Sequence, residues 1–318
     1  MAPPPLRHFT DIASLGQPTI FELLDRSLVL RRQFDDREYP AQTLVGKLQY
    51  NLFYENSTRT NLSFEVAAKR LGAMVSMVPV AASSVHKGES LTDTVLTLAA
   101  QGADILVLRA TEPGTIYRAI AAVEAEGYPT HIINAGEGAL GHPTQGLLDA
   151  GTVLHALGRT AKEGLRDITL TIAGDILHSR VAASAIEVFA QLGTTIKLVG
   201  PASLLPPEAP KGVKTMHEDL ESGLHGADIV MTLRIQKERM QTGLGLSEAD
   251  YHHLFGVTLK TLKAAKPNAL VMHPGPMNRG VEIDDAVADD MSRSLIRSQV
   301  TQGVVARMAV LEWLHQHV

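Results

Sequence analysis

The feature that most constrains this chain is a rhythm. Short apolar runs alternate with segments whose apolar residues recur every three or four positions, and the alternation persists almost from end to end. The spacing predicts strands from Lys47 to Tyr54, Ala73 to Val78, Asp104 to Leu108 and His131 to Asn134, with helices starting near Thr58, Ser90, Pro113 and Pro143. A second series follows at Ile168 to Ala173, Thr195 to Val199, Val213 to Met216, Ile229 to Leu233 and Ala269 to Met272. Strands that alternate with helices in this way build parallel sheets covered on both faces. The two series are separated by "GRTAKEGLRD", charged and glycine-punctuated, which puts a boundary near residue 160. The expected fold class is α/β, with two doubly wound parallel-sheet domains and the active site in the crevice between them. The domains run over residues 1–142 and 161–289, joined by a helix and linker at 143–160. A last helix, Asp290 to His317, falls in segment 290–318 and is expected to return to the first domain.

Composition removes several classes of function. The chain of 318 residues has a net charge of −5, which offers no general surface for nucleic acid or membrane, so any anion must be held by local arginines. It has no cysteine, hence no disulfide, thiol nucleophile or thiolate metal site. "MAPPPLRHFT" lacks the apolar core of a signal peptide, and a cytoplasmic protein is expected.

"FYENSTRTNLSFE" leaves a strand and enters a helix at once. Leu62, Val66, Ala67 and Leu71 supply the helical spacing, Gly72 the stop, and Ser57 the expected N-cap. Thr58, Arg59 and Thr60 then occupy the first turn, where backbone N–H groups lack intrahelical partners and the dipole is positive. An arginine there opposes the usual preference for acids. It is favourable when an anion sits beside it, though a serine cap and a solvated arginine are the plainer reading.

Other clusters also follow strands. "SSVHKGES" offers Ser83, Lys87 and Glu89, where a lysine could meet a phosphate as a point charge, although most such loops are merely solvated. "GHPTQGLLD" carries His142 before a helix-starting proline and Gln145 one turn on. Arg109, Arg180 and Arg234, the last with Gln236 two residues on, stand at strand ends or just after them. One such arginine would mean little. Several in an acidic protein fit a substrate with more than one negative charge, because the guanidinium fork matches carboxylate and phosphate. "SLTD" resembles a capping box, and His252 and His253 read as surface. "GEGALG" satisfies GxGxxG through Gly136, Gly138 and Gly141, but Pro143 fixes the helix start too late and no strand end with an acid follows at the right distance. The nicotinamide reading is rejected.

"FYENSTRTNLSFE", "HPTQGLLD", "LRIQKER" and "MHPGPMNRG" occur in that order, and together they resemble the carbamoyltransferase family over nearly the whole chain, most closely its aspartate-using branch. The resemblance implies transfer of a carbamoyl group from carbamoyl phosphate to L-aspartate in pyrimidine (UMP) biosynthesis, with no cofactor and no metal. Ornithine-using members typically have arginine after S-T-R-T and a cysteine in the late histidine turn. This chain has Asn61 and "HPGP". Aspartate also accounts for Arg180 and Arg234, since ornithine would need an acid for its ammonium group.

Roles implied by the resemblance attach to matching positions. Ser57, Thr58, Arg59 and Thr60, with Arg109, hold the phosphate. Thr60, Arg109 and His142 polarise the carbonyl. Gln145 and the backbone carbonyls of Gly275 and Pro276 receive the carbamoyl amino group, and Arg180, Arg234 and Gln236 clamp aspartate. The departing phosphate is the expected proton acceptor. Many members carry leucine in place of Gly275, a change that a backbone-carbonyl contact survives. The family forms trimers in which the loop serine and lysine, here Ser83 and Lys87, reach a neighbour's site, so a homotrimer with shared sites is expected. "HPGPMNRG" is similar to bacterial members that act alone or beside a dihydroorotase, and a regulatory chain is the other partner the family offers. Two alternatives stay open: a carbamoyltransferase for ornithine or another amine, and a catalytically silent scaffold.

Overall fold

A computed structural model describes residues 7–38, 40–79, 88–138, 141–236 and 245–316. The chain divides into two compact units, one formed by Met1–Gly151 with Thr301–Val318 and the other by Thr152–Val300.

The first unit holds a parallel sheet of β1 (Leu48–Phe53), β2 (Met74–Val78), β3 (Ile105–Ala110) and β4 (His131–Glu137) in the order β2-β1-β3-β4. Strands β3 and β4 are buried along their full length, as near-continuous apolar runs in a doubly covered parallel sheet should be. The sequence places each of these strands within a residue or two at its start, and β3 and β4 run further than expected. Its helices are α1 (Gly16–Asp35), α2 (Thr58–Arg70), α3 (Leu91–Ala100), α4 (Thr115–Ala125) and the first part of α5 (Pro143–Leu157).

Two expectations about α2 need correction. The helix begins at Thr58 with Ser57 in the N-cap position, but the serine side chain caps no backbone N–H; its hydroxyl donates to Thr60 Oγ1 at 3.0 Å. Leu62 and Val66 are exposed. The buried face keeps the expected Ala67 and Leu71 and adds Thr60 and Phe64 at the same three- and four-residue spacing. This face turns Thr60 inward. By contrast, Ser90 does accept from the backbone N–H of Asp93 and donates to its carboxylate, as "SLTD" suggests.

The second unit carries β5 (Thr169–Ala173), β6 (Thr195–Val199), β7 (Val213–His217), β8 (Ile229–Thr232) and β9 (Leu270–Met272), all parallel, in the order β7-β6-β5-β8-β9. Its helices are α6 (Arg180–Gln191), α7 (Leu220–Leu224), α8 (Glu248–Phe255) and α9 (Asp285–Ala288). Helix α10 (Ile296–Gln316) begins six residues later than the sequence pattern suggests. The reason is tertiary: Ser294 bridges to Val271 beside β9, and Arg293 Nε donates to the Ala269 carbonyl at 2.9 Å, holding this stretch extended. His252 is also more than surface, since its Nε2 lies 2.7 Å from the Asp284 carboxylate.

Candidate active site

In an open parallel sheet, ligands gather outside the carboxyl ends of the strands where the strand order reverses. In the first unit that point lies between β1 and β3, because the chain leaves β1 toward β2 and β3 toward β4. The S-T-R-T turn follows β1, and Arg109 stands near the carboxyl end of β3, level with Phe53. In the second unit the reversal falls between β5 and β8. Arg180 opens the helix after β5, and Arg234 follows β8. Each unit therefore presents cations where its sheet topology opens a cleft.

The first half-site centres on Thr60. Its Oγ1 accepts from Ser57 and lies 3.4 Å from Nε2 of His142, and both Thr60 and His142 are buried. Helix α5 starts at Pro143, and the His142 carbonyl accepts from the N–H groups of Gln145 and Gly146, which fixes the histidine at the helix entrance. Gln145 Nε2 donates to Asp149 one turn on, at 3.0 Å. Arg109 is almost fully buried; Nη1 donates to the Ala135 carbonyl at 3.0 Å and Nη2 to Glu55 at 2.8 Å. Arg59 is exposed at the helix start. Glu55 and Asp149 were not singled out in the sequence. Asp149 lies four residues after Gln145 on one helix face, within reach of a spacing argument, whereas Glu55 stands inside the quoted strand-to-helix stretch but pairs with Arg109, 54 residues on.

Behind this cluster the Arg307 guanidinium lies over the Phe64 ring, 5.0 Å from its centroid, and donates to the Gly303 carbonyl. Burial pushes it down to about 9; the Asp149 carboxylate opposes that shift and the Arg109 charge adds to it.

In the second half-site, Ser179 caps α6 by accepting from the Ala182 N–H, so Arg180 is the first helical residue. Arg234 and Gln236 are exposed and alternate with Ile235, which is buried. After β9 the chain turns through His273-Pro274-Gly275-Pro276. Gly275 sits at φ +66°, a left-handed conformation that glycine adopts without strain and leucine would resist, and its bond to Pro276 is cis. Ser83 and Lys87 lie outside the described residues. Among the described residues no cluster of His, Asp and Glu could hold a metal ion, and no helix is long and apolar enough to cross a membrane.

Residues 7–155 match the family description "Aspartate/ornithine carbamoyltransferase, carbamoyl-P binding domain", and residues 166–314 match "Aspartate/ornithine carbamoyltransferase, Asp/Orn binding domain". The chain belongs to the aspartate/ornithine carbamoyltransferase family. It is 49% identical over 311 residues to the aspartate carbamoyltransferase catalytic subunit of Azorhizobium caulinodans, covering 97% of this chain and 92% of that one. Among solved structures it is similar to the Trypanosoma cruzi aspartate transcarbamoylase in complex with carbamoyl phosphate and aspartate, at TM-score 0.83 and 30% identity, covering 98% and 99% of the two chains. The same enzyme in complex with N-(phosphonacetyl)-L-aspartic acid matches at TM-score 0.83 and 31% identity, covering 96% and 94%.

Proposed function

We propose that this chain transfers the carbamoyl group of carbamoyl phosphate to the amine of L-aspartate, giving N-carbamoyl-L-aspartate and phosphate, a step of pyrimidine biosynthesis. The observation that carries the reading is the Ser57–Thr60–His142 cluster at the reversal point of the first sheet, joined there by Arg109. Two hydroxyls, an imidazole and a guanidinium, the last also paired with Glu55, suit a phosphate and a developing oxyanion.

The first unit takes carbamoyl phosphate. Ser57, Thr58, Arg59, Thr60 and Arg109 hold the phosphate at the start of α2, where the backbone N–H groups and the dipole add to the arginine charge. Thr60, Arg109 and His142 stabilise the tetrahedral oxyanion, and Gln145, oriented by Asp149, receives the carbamoyl amino group together with the carbonyls of Gly275 and Pro276. The second unit takes aspartate. Arg180, Arg234 and Gln236 bind its two carboxylates and hold the neutral amine for attack. The amine bonds to the carbonyl carbon, the C–O bond to phosphate breaks, and the departing phosphate carries off the amine proton.

The decisive assay offers carbamoyl phosphate with aspartate or ornithine in separate reactions. Carbamoyl aspartate with one phosphate per turnover is expected. Product from ornithine alone would overturn the roles given to Arg234 and Gln236, and no product from either would favour a silent scaffold.

The active assembly is a cytoplasmic homotrimer in which Ser83 and Lys87 serve the neighbouring site. Mixing inactive Arg59→Ala chains with inactive Lys87→Ala chains should restore part of the activity; no recovery after verified subunit exchange would sink the shared-site reading. Size-exclusion chromatography of a mixture with a dihydroorotase tests for that partner.

A further inference from the structure

One part of "MHPGPMNRG" has no role in the mechanism above: the residues after the turn. Asn278 is half-buried and makes three bonds. Its Nδ2 donates to the Ile235 carbonyl at 2.8 Å, its backbone N–H donates to Glu282 Oε1 at 2.5 Å, and its carbonyl accepts from the Val281 N–H at 3.0 Å. Ile235 is the buried residue between Arg234 and Gln236. The amide of Asn278 thus ties the chain after β8 to the chain after β9.

Glu282 anchors the other side. It is 2% exposed, and the same Oε1 lies 3.1 Å from Nε2 of His273, which is 1% exposed. His273 Nδ1 accepts from the Gly275 N–H at 2.8 Å, which leaves the ring proton on Nε2, directed to Glu282. The His273 backbone N–H in turn donates to Gln299 Oε1 at 3.0 Å. One carboxylate oxygen therefore receives both His273, which orients the Gly275–Pro276 turn, and Asn278, which holds the Arg234–Gln236 segment. Bonds among groups this deeply buried favour a single geometry, even though the second oxygen of Glu282 has no hydrogen-bond partner among the described residues.

We infer that Asn278 is a positioning residue for the second substrate, setting the spacing between the Arg234–Gln236 segment and the Gly275–Pro276 turn through Glu282 and His273. The inference rests on the proposed carbamoyl transfer to aspartate. In this reading Asn278 acts through the Ile235 backbone, one residue from each group proposed to bind aspartate. Every bond in the network lies within the second unit, so the first-unit residues that hold the phosphate should keep their geometry, and carbamoyl phosphate should feel the loss only through the Gly275–Pro276 turn.

The test is Asn278→Ala, with Asn278→Asp as a second variant of the same size that points an acceptor at the Ile235 carbonyl. Steady-state kinetics with both substrates, calorimetric binding of carbamoyl phosphate alone, and binding of succinate in its presence are measured on folded protein. Asn278→Ala should raise the KM for aspartate and the Kd for succinate about tenfold, Asn278→Asp should raise them further, and the affinity for carbamoyl phosphate, which meets this unit only through the Gly275–Pro276 turn, should fall by no more than about threefold. Unchanged aspartate KM in both variants overturns the inference while leaving the function standing; so does an equal loss of affinity for both substrates, which marks a merely structural role. A wild-type protein that neither carbamoylates aspartate nor binds succinate overturns the functional reading and the inference with it, and the wild-type control tells that failure from the other two.

Discussion

Replacing Thr60 with valine separates what its hydroxyl does for the fold from what it does for the reaction. The substitution keeps the branched shape on the buried face of α2 and removes one oxygen with two neighbours, Ser57 Oγ at 3.0 Å and His142 Nε2 at 3.4 Å. A neutral hydrogen bond contributes about 0.5–1.5 kcal/mol net, and Ser57, only half-buried, can turn to water, so the loss in stability should be about 1 kcal/mol. In a unit of this size that lowers the melting temperature by roughly 2–4 °C. If the same hydroxyl donates to the oxyanion, its removal should lower kcat about 10²–10³-fold, equivalent to about 2.7–4 kcal/mol. The assay pairs turnover of carbamoyl phosphate and aspartate with thermal denaturation. A kcat within about fivefold of wild type in a folded protein would refute the oxyanion role; a melting temperature lowered by more than about 10 °C would show that the hydroxyl serves the core.

Arg180→Gln and Arg234→Gln should each raise the KM for aspartate about ten- to a hundredfold, the range for one hydrogen bond to a charged group, while calorimetry shows carbamoyl phosphate binding intact. Gly200→Ala should lower the melting temperature, because the new Cβ would lie 2.5 Å from the Gly174 carbonyl oxygen and backbone must shift; about 1–3 kcal/mol is expected in denaturant titration. Burial lowers the pKa of both His8 and His131 below the usual 6.5. The unfolded chain then binds more protons near pH 6 than the fold does, so the stability these residues contribute is complete above about pH 6.5 and lost as pH falls toward their folded values. Unfolding midpoints at pH 7.5 and 5.5 should show the drop, and His131→Asn should reduce it.

The strands were legible because burial on both faces writes them as continuous apolar runs, and the helix starts at Thr58, Leu91 and Pro143 because apolar spacing behind Ser57, a capping serine and a proline mark them. Helix α1 went unread for the converse reason. Ile20, Leu23, Leu24 and Leu28 have helical spacing, but Leu15 stands at the N-cap and offers no side-chain acceptor to announce a start. The late start of α10 was unreadable, since it depends on the backbone of β9, some twenty residues away in sequence. Single candidate residues can be named from type and position; their partners in the fold cannot. Asp149, Glu55, Glu282 and Asn278 act through contacts whose sequence separations range from four to more than fifty residues, and no local pattern encodes the longer ones.

The division of the chain has a bearing on how the protein is made. The second unit is one continuous stretch, whereas the first is completed only by residues from Thr301 onward. Arg26 grips the buried Glu312 with both Nε and Nη2, and Gln302 Nε2 donates to the Ser27 hydroxyl, contacts that join residues 275 and 286 positions apart. On a ribosome that delivers residues in order, the second unit can fold as soon as it emerges, while the first must wait with α1 uncovered until the final helix is released. Order of synthesis and order of folding are therefore reversed: the half of the molecule made first is the half finished last.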